Sequence, residues 1–195
     1  MIMSTIDYYN KNAALFSEGA SSVDVTALYS HFLPKIEKKA SILDLGCGNG
    51  RDSKYFKDAG YQVTSVDGSS ELCRIAEGMI GQPVRNILFS ELDYAEEFDA
   101  VWACASLLHV PKSEIHPILL KVSAALKPSG ILYASFKYGN TERFSGERFY
   151  SDYSETDIPW LLDGTDLQCI EFWTSHDVRL DRSSDQWLNI ICRKK

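Results

Sequence analysis

One stretch constrains the chain more than any other. An apolar, strand-like run at 41–45 ends in Asp44-Leu45-Gly46-Cys47-Gly48-Asn49-Gly50 and passes directly into a helical pattern from 51. Glycines at alternate positions allow a sharp turn and let a ligand come close to the backbone. The helix that follows offers its free N–H groups to the same space. The spacing is GxGxG; a dinucleotide fingerprint, GxGxxG, would need its last glycine at Arg51. Asp44 sits inside the motif. An acid there repels a pyrophosphate and attracts a cationic ligand. A second acid, Asp67, closes the next apolar run 21 residues after Gly46. In doubly wound sheets an acid at that place accepts from ribose hydroxyls.

The rest of the chain alternates in the same way. Strand patterns at 61–66, 84–89, 98–103 and 131–136 are separated by helical patterns at 51–59, 70–78 and 112–126. This alternation predicts a mostly parallel sheet with crossover helices. A short helix is expected at 154–162, with Ser154 and Asp157 in a capping relation. Two β-like runs, 167–173 and 186–193, have no helix between them, so they should pair antiparallel. The expectation is an α/β, Rossmann-like, seven-stranded, mostly parallel sheet with helices on both faces and a C-terminal antiparallel β-hairpin. Residues 1–38 are read as a helical lid, with helices near 4–16 and 23–32, on a single-domain core at 40–195.

At 195 residues the chain can bury one good core. Its 20 Lys+Arg against 27 Asp+Glu give −7, which argues against a nucleic-acid partner. No stretch nears the ~18 apolar residues of a membrane span, and residues 1–10 lack the pattern of a secretory signal. A cytoplasmic protein, monomer or homodimer, is expected. The five cysteines are scattered and form no CxxC pair, so neither a metal site nor a disulfide framework is expected.

Three segments together resemble class I S-adenosylmethionine-dependent methyltransferases. ILDLGCGNG at 42–50 looks like their first motif. Glu97-Phe98-Asp99-Ala100-Val101 resembles their entry to strand four. Leu126-Lys127-Pro128-Ser129-Gly130-Ile131-Leu132 resembles their "LKPGG" turn, with Ser129 in place of the first glycine. The longer run GCGNGRDS looks most like small bacterial enzymes of the tellurite-resistance type. The resemblance implies S-adenosylmethionine as cofactor. Asp44, Gly46, Cys47, Gly48, Gly50 and Arg51 would then hold its methionine part. Asp67 would take the ribose hydroxyls, with Gly68 and Ser69 beside it. Phe89, Ser90, Glu91 and Leu92 would flank the adenine, Glu91 being the acid for its amino group. Ala103, Cys104 and Ala105 would face the reacting methyl.

On the acceptor side, His109 follows strand four, where ligands of open α/β sheets bind, and is the candidate catalytic base. With an ordinary histidine pKa of ~6.5 its activity would rise with pH through that value. Lys137, Tyr138, Glu142, Arg143 and Tyr150, in a long segment at 137–151, are acceptor-site candidates, because loops of that length are often functional. Arg179, Asp181, Arg182 and Trp187 flank the closing hairpin and could reach the same pocket. Tyr8, Tyr9 and Phe16 are expected in the lid. The reading is methyl transfer to a small molecule. A binding protein without activity, a protein acceptor and a nicotinamide oxidoreductase are the alternatives.

Overall fold

A computed structural model describes residues 4–179 and 183–195. Two helices come first, α1 (Thr5–Ser21) and α2 (Thr26–Phe32). Then follow β1 (Ser41–Leu45), α3 (Arg51–Asp58), β2 (Gln62–Asp67), α4 (Ser70–Ile80), β3 (Arg85–Asn86), β4 (Phe98–Ala103), α5 (Ile115–Ala125) and β5 (Leu126–Lys137). The chain ends with β6 (Glu142–Ser145), β7 (Arg148–Ser151), α6 (Ile158–Leu161), β8 (Leu167–His176) and β9 (Gln186–Lys194). Seven strands form one sheet in the order β3-β2-β1-β4-β5-β9-β8. The first five are parallel; β9 runs antiparallel to β5, and β8 antiparallel to β9. The expected sheet and closing hairpin are therefore both present. The chain moves outward from β1 to β2 and β3, then returns to the other side at β4. That reversal opens a crevice at the carboxyl ends of β1 and β4.

Strand periodicity sorts the core onto two faces. Val101, Ala103, Leu132, Ala134 and Phe136 point toward α5, where Ile115, Leu119 and Val122 meet them. The alternate residues Ala100, Trp102, Ile131 and Tyr133 point the other way, into an aromatic layer with Tyr29, Phe32 and Phe56. Tyr29 and Phe32 belong to α2, so that helix is part of the core, whereas α1 lies over the crevice. Asp52 sits within the aromatic layer. It accepts from the Tyr29 hydroxyl (2.7 Å), from Trp102 Nε1 (2.8 Å) and from Arg51 Nε (2.6 Å).

The structure departs from the sequence pattern in five places. The strand expected at 84–89 is reduced to two residues, because the Glu91 carboxylate accepts from the Leu88 N–H at 2.7 Å and turns the chain. The helix expected at 112–126 starts later, at Ile115, beyond Pro111. β5 begins five residues earlier than its apolar run, with Ser129 at φ 65°, the conformation a glycine would adopt more readily. The segment 137–151 is not an open loop: β6 and β7 pair antiparallel about Gly146, whose φ is 61°. At 154–162 the expected cap is present, Ser154 N–H donating to Asp157 at 2.8 Å, but the helix is only a short 3₁₀ turn and α6.

Replacing Asp52 by Ala leaves the Trp102 N–H and the Tyr29 hydroxyl buried without an acceptor, and Arg51 without its carboxylate. The expected cost is about 3 kcal/mol in urea denaturation. A loss below about 0.5 kcal/mol would show that the network does not support the fold.

Candidate active site

A cavity of about 1000 Å³ lies over the carboxyl ends of β1, β2, β4 and β5. It is at the upper end of the roughly 300–1,000 Å³ of small-molecule pockets, enough for two adjoining ligands. The turn after β1 forms its floor through Gly46, Cys47, Gly48 and Asn49. Gly46 has φ 79°, and a Cβ there would lie 2.5 Å from the Ser106 Cβ. Ser106 in turn donates to the Leu45 carbonyl at 2.6 Å, joining the loops after β1 and β4. Gly48 has φ 58°, and a Cβ there would stand 3.3 Å from Phe16 of α1. The glycines thus let the loop after β4 close on one side and α1 close on the other.

Asp67 ends β2 and faces the cavity. One carboxylate oxygen accepts from the Gly48 N–H and the other from the Ser69 N–H, both at 2.8 Å. Burial raises its pKa to about 6, against the pull of those two N–H groups. Gly68, Leu88, Phe89, Ser90, Cys104, Ala105, Leu108 and His109 continue the wall. Ala105 holds φ 52°, a strained value for a residue with a Cβ, and its N–H donates to Ser135 Oγ at 2.8 Å. Arg51 also lines the cavity, clamped between Asp52 and the Ala20 carbonyl, the latter at 3.2 Å.

Other residues singled out from the sequence lie behind this wall. Asp44 is buried beneath the turn and accepts from Ser53 Oγ at 2.5 Å; burial, and next the charge of Asp52, raise its pKa. Gly50 caps α3, and Ser69 caps α4 by accepting from the Leu72 N–H. Glu91 is exposed and engaged with Leu88, while Leu92 and Ala103 pack into the core. None of these six lines the cavity.

The roof is α1 with the β6–β7 hairpin. Tyr8, Tyr9 and Phe16 of α1 all line the cavity, as expected of a lid. Asn49 Nδ2 donates to the Ser17 carbonyl (3.1 Å) and Ser21 Oγ (2.9 Å), tying α1 to the glycine turn. His109 lies under Tyr9. Its Nδ1 is 2.6 Å from the Phe149 carbonyl, which can only accept, so Nδ1 carries the proton. Nε2 then accepts from the Tyr9 hydroxyl at 2.8 Å. Burial, and to a lesser extent the charge of Arg148, lower the His109 pKa to about 4, although its bond to Phe149 opposes this. The imidazole is therefore neutral across the neutral range, and the expected rise of activity through ~6.5 has no basis in this site.

Residues 42–130 match the family model of a methyltransferase domain. The Burkholderia thailandensis 1,6-didemethyltoxoflavin-N1-methyltransferase, solved with its substrate and S-adenosylhomocysteine, is 25% identical with a TM-score of 0.69. That match covers 96% of this chain and 80% of the other. Over residues 42–130 the chain is similar to methyltransferase domains. The ubiquinone biosynthesis O-methyltransferase of Rhodopseudomonas palustris is 29% identical over 129 residues, 64% of this chain and 49% of that protein. The chain spans about half the length of the curated relatives it matches. A TehB-like methyltransferase from Corynebacterium glutamicum has a TM-score of 0.73 at 19% identity, covering 96% and 99%; it shares the fold.

Around this cavity the acceptor-side candidates divide. Lys137, Tyr150, Arg179 and Trp187 line the cavity. Tyr138 is turned outward onto Glu155, Arg143 pairs with Asp152 at 2.7 Å, and Glu142 is exposed and accepts from the Lys112 N–H. None of these three lines the cavity. Asp181 and Arg182 lie outside the described residues. Sequence reasoning missed Asp177, which accepts from Arg179 (2.7 Å), Lys137 (3.3 Å) and Trp187 Nε1 (3.2 Å). Burial pushes the Asp177 pKa up, but the bonds from Arg179 and the charges of Arg179 and Lys137 outweigh it and hold it well below the carboxylate range. It also missed Arg148, which the alternation on either side of Gly146-Glu147 could have placed on a hairpin strand.

The buried His109 gives a stability test with a definite sign. Folded, it titrates near 4; unfolded, near ~6.5, so the unfolded chain takes up the proton first. The stability this site contributes is complete above about 6.5 and is lost as pH falls toward 4. The full loss is about 3 kcal/mol. Urea midpoints measured at pH 7 and pH 4.5 should fall further in the wild type than in His109→Gln. Equal falls in the two proteins would show that His109 does not titrate as its burial requires.

Proposed function

We propose that this chain binds S-adenosylmethionine in the cavity and transfers its methyl group to a small-molecule acceptor. The observation that carries this reading is Asp67. Its carboxylate is fixed by two backbone N–H groups and faces the cavity beside the glycine turn. A carboxylate has about four lone-pair sites. Two are used here, so two remain for a pair of ribose hydroxyls. The glycine turn, where added Cβ atoms would meet Ser106 and Phe16, offers backbone rather than side chains to a ligand.

In this reading Gly46, Cys47, Gly48 and Arg51 hold the amino-acid end of the cofactor, Asp67 and Gly68 the ribose, and Leu88, Phe89 and Ser90 the adenine. Cys104 and Ala105 stand where the methyl is exposed. Asp44, buried behind the turn and hydrogen-bonded to Ser53, holds the turn in place rather than touching the cofactor. The cofactor supplies an electrophilic methyl on a cationic sulfur. The protein's part is to align the acceptor and exclude water, which the α1 roof and its ties to Asn49 and Arg51 serve. His109 is the proposed base for a hydroxyl or amine acceptor. Its Nε2 holds the Tyr9 proton, so the acceptor's proton would pass to the Tyr9 oxygen as Tyr9 hands its own to Nε2. The similarity to an N-methyltransferase and to O-methyltransferases supports methyl transfer to nitrogen or oxygen.

Titration calorimetry tests this. The wild type should bind S-adenosylmethionine and S-adenosylhomocysteine and should not bind NAD. Asp67→Ala should weaken S-adenosylhomocysteine at least about tenfold, since charged hydrogen bonds contribute ~1.5–3 kcal/mol. NAD binding without any response to S-adenosylhomocysteine would overturn the proposal.

A further inference from the structure

Among the described residues four basic side chains line the cavity: Arg51, Lys137, Arg148 and Arg179. Three are neutralised within the protein. Arg51 pairs with Asp52 at 2.6 Å, Lys137 with Asp185 at 2.8 Å, and Arg179 with Asp177 at 2.7 Å. Arg148 is different. Among the described residues no carboxylate pairs with it; its guanidinium interacts with the Tyr9 hydroxyl, but its Nε is buried without a hydrogen-bond partner. Its guanidinium lies 5.1 Å from the Tyr8 ring centroid and 5.5 Å from that of Tyr150, with the Tyr9 hydroxyl beside it.

Ring faces attract a guanidinium but do not satisfy its N–H donors. A buried donor left unmade is costly and calls for a partner. The planar fork of arginine matches a carboxylate or another anionic oxygen in two parallel hydrogen bonds. The surroundings define the rest of that partner. Tyr9 packs edge-on against Tyr8 at 5.5 Å, against Phe16 at 5.1 Å and against His109 at 5.4 Å; His109 meets Tyr150 at 5.0 Å. This continuous wall of rings suits a flat aromatic body. Position adds a further point. Phe149, next to Arg148 on β7, gives its carbonyl to His109 of the turn after β4, so the cation without a carboxylate and the proposed base meet at the same point of β7.

We propose that the acceptor is a planar aromatic molecule bearing an anionic oxygen, and that Arg148 binds that oxygen. This rests on the methyltransferase reading for the word acceptor, but the binding site itself is testable without it. The probes are 3,4-dihydroxybenzoate and its neutral amide, 3,4-dihydroxybenzamide, titrated by calorimetry with and without saturating S-adenosylhomocysteine. Wild type should bind the carboxylate at least about tenfold more tightly than the amide, the ratio expected for one lost charge-assisted hydrogen bond. Arg148→Met should bind the two equally while still taking up S-adenosylhomocysteine. Should that variant not fold, Arg148→Gln serves the same purpose. Equal affinities in the wild type, a preference that survives in the variant, or binding of neither probe would overturn the proposal. Absence of S-adenosylhomocysteine binding in the wild type would instead count against the cofactor reading, and the two probes alone would still decide the role of Arg148.

Discussion

The Asp67 carboxylate is the interaction on which the site depends. It ends β2 and, through two 2.8 Å bonds, joins the Gly48 N–H of one loop to the Ser69 N–H of another. Without it the glycine turn and the start of α4 would have no common anchor at the cavity. The bonds leave it neither a free acid nor a mere cap. They fix its orientation where it lines the cavity. Its raised pKa, about 6, is the cost of that buried position.

The second constraint is that the parallel core does not enclose the site alone. The carboxyl ends of β1 and β4 make the floor, and the roof comes from residues distant in sequence. Asn49 reaches Ser17 and Ser21, Arg51 reaches Ala20, and Tyr9 reaches His109. The β6–β7 hairpin adds the Phe149 carbonyl, and its N–H in turn donates to Thr5 Oγ1 at 3.0 Å. These polar ties are few and lie at the edge of the core. Elements held in this way open locally at lower cost than core strands, which suits a roof that must admit ligands.

Much of this was legible in the sequence, for identifiable reasons. β1, β4 and β9 are strongly apolar, and their limits were close to those observed, because burial on both faces writes a continuous pattern. Asp67 and the glycine turn were legible because a tight turn with positive φ at Gly46, Gly48 and Gly50 restricts residue type position by position. Four kinds of feature were not. β3 faded because Glu91 captures the Leu88 N–H, a local bond that outcompetes strand pairing. The β6–β7 hairpin was obscured because its outer strand is exposed throughout and carries no alternation of buried and exposed residues. Glu91, Tyr138 and Arg143 were plausible by position in the chain, yet each is occupied by a neighbour, and such pairing leaves no periodic trace. His109 was placed near the cavity by topology, but its lowered pKa comes first from burial under the roof and then from the charge of Arg148, some 40 residues away, against the bond to Phe149.

The central claim is that one nucleoside ligand bridges the glycine turn, Asp67 and the roof. Hydrogen exchange with and without saturating S-adenosylhomocysteine reads all three at once. The account predicts added protection at 46–50, at 67–69 and along α1, with β8 and α6 unchanged. Protection that is absent from α1 and from 67–69, or that falls on β8 instead, would contradict it.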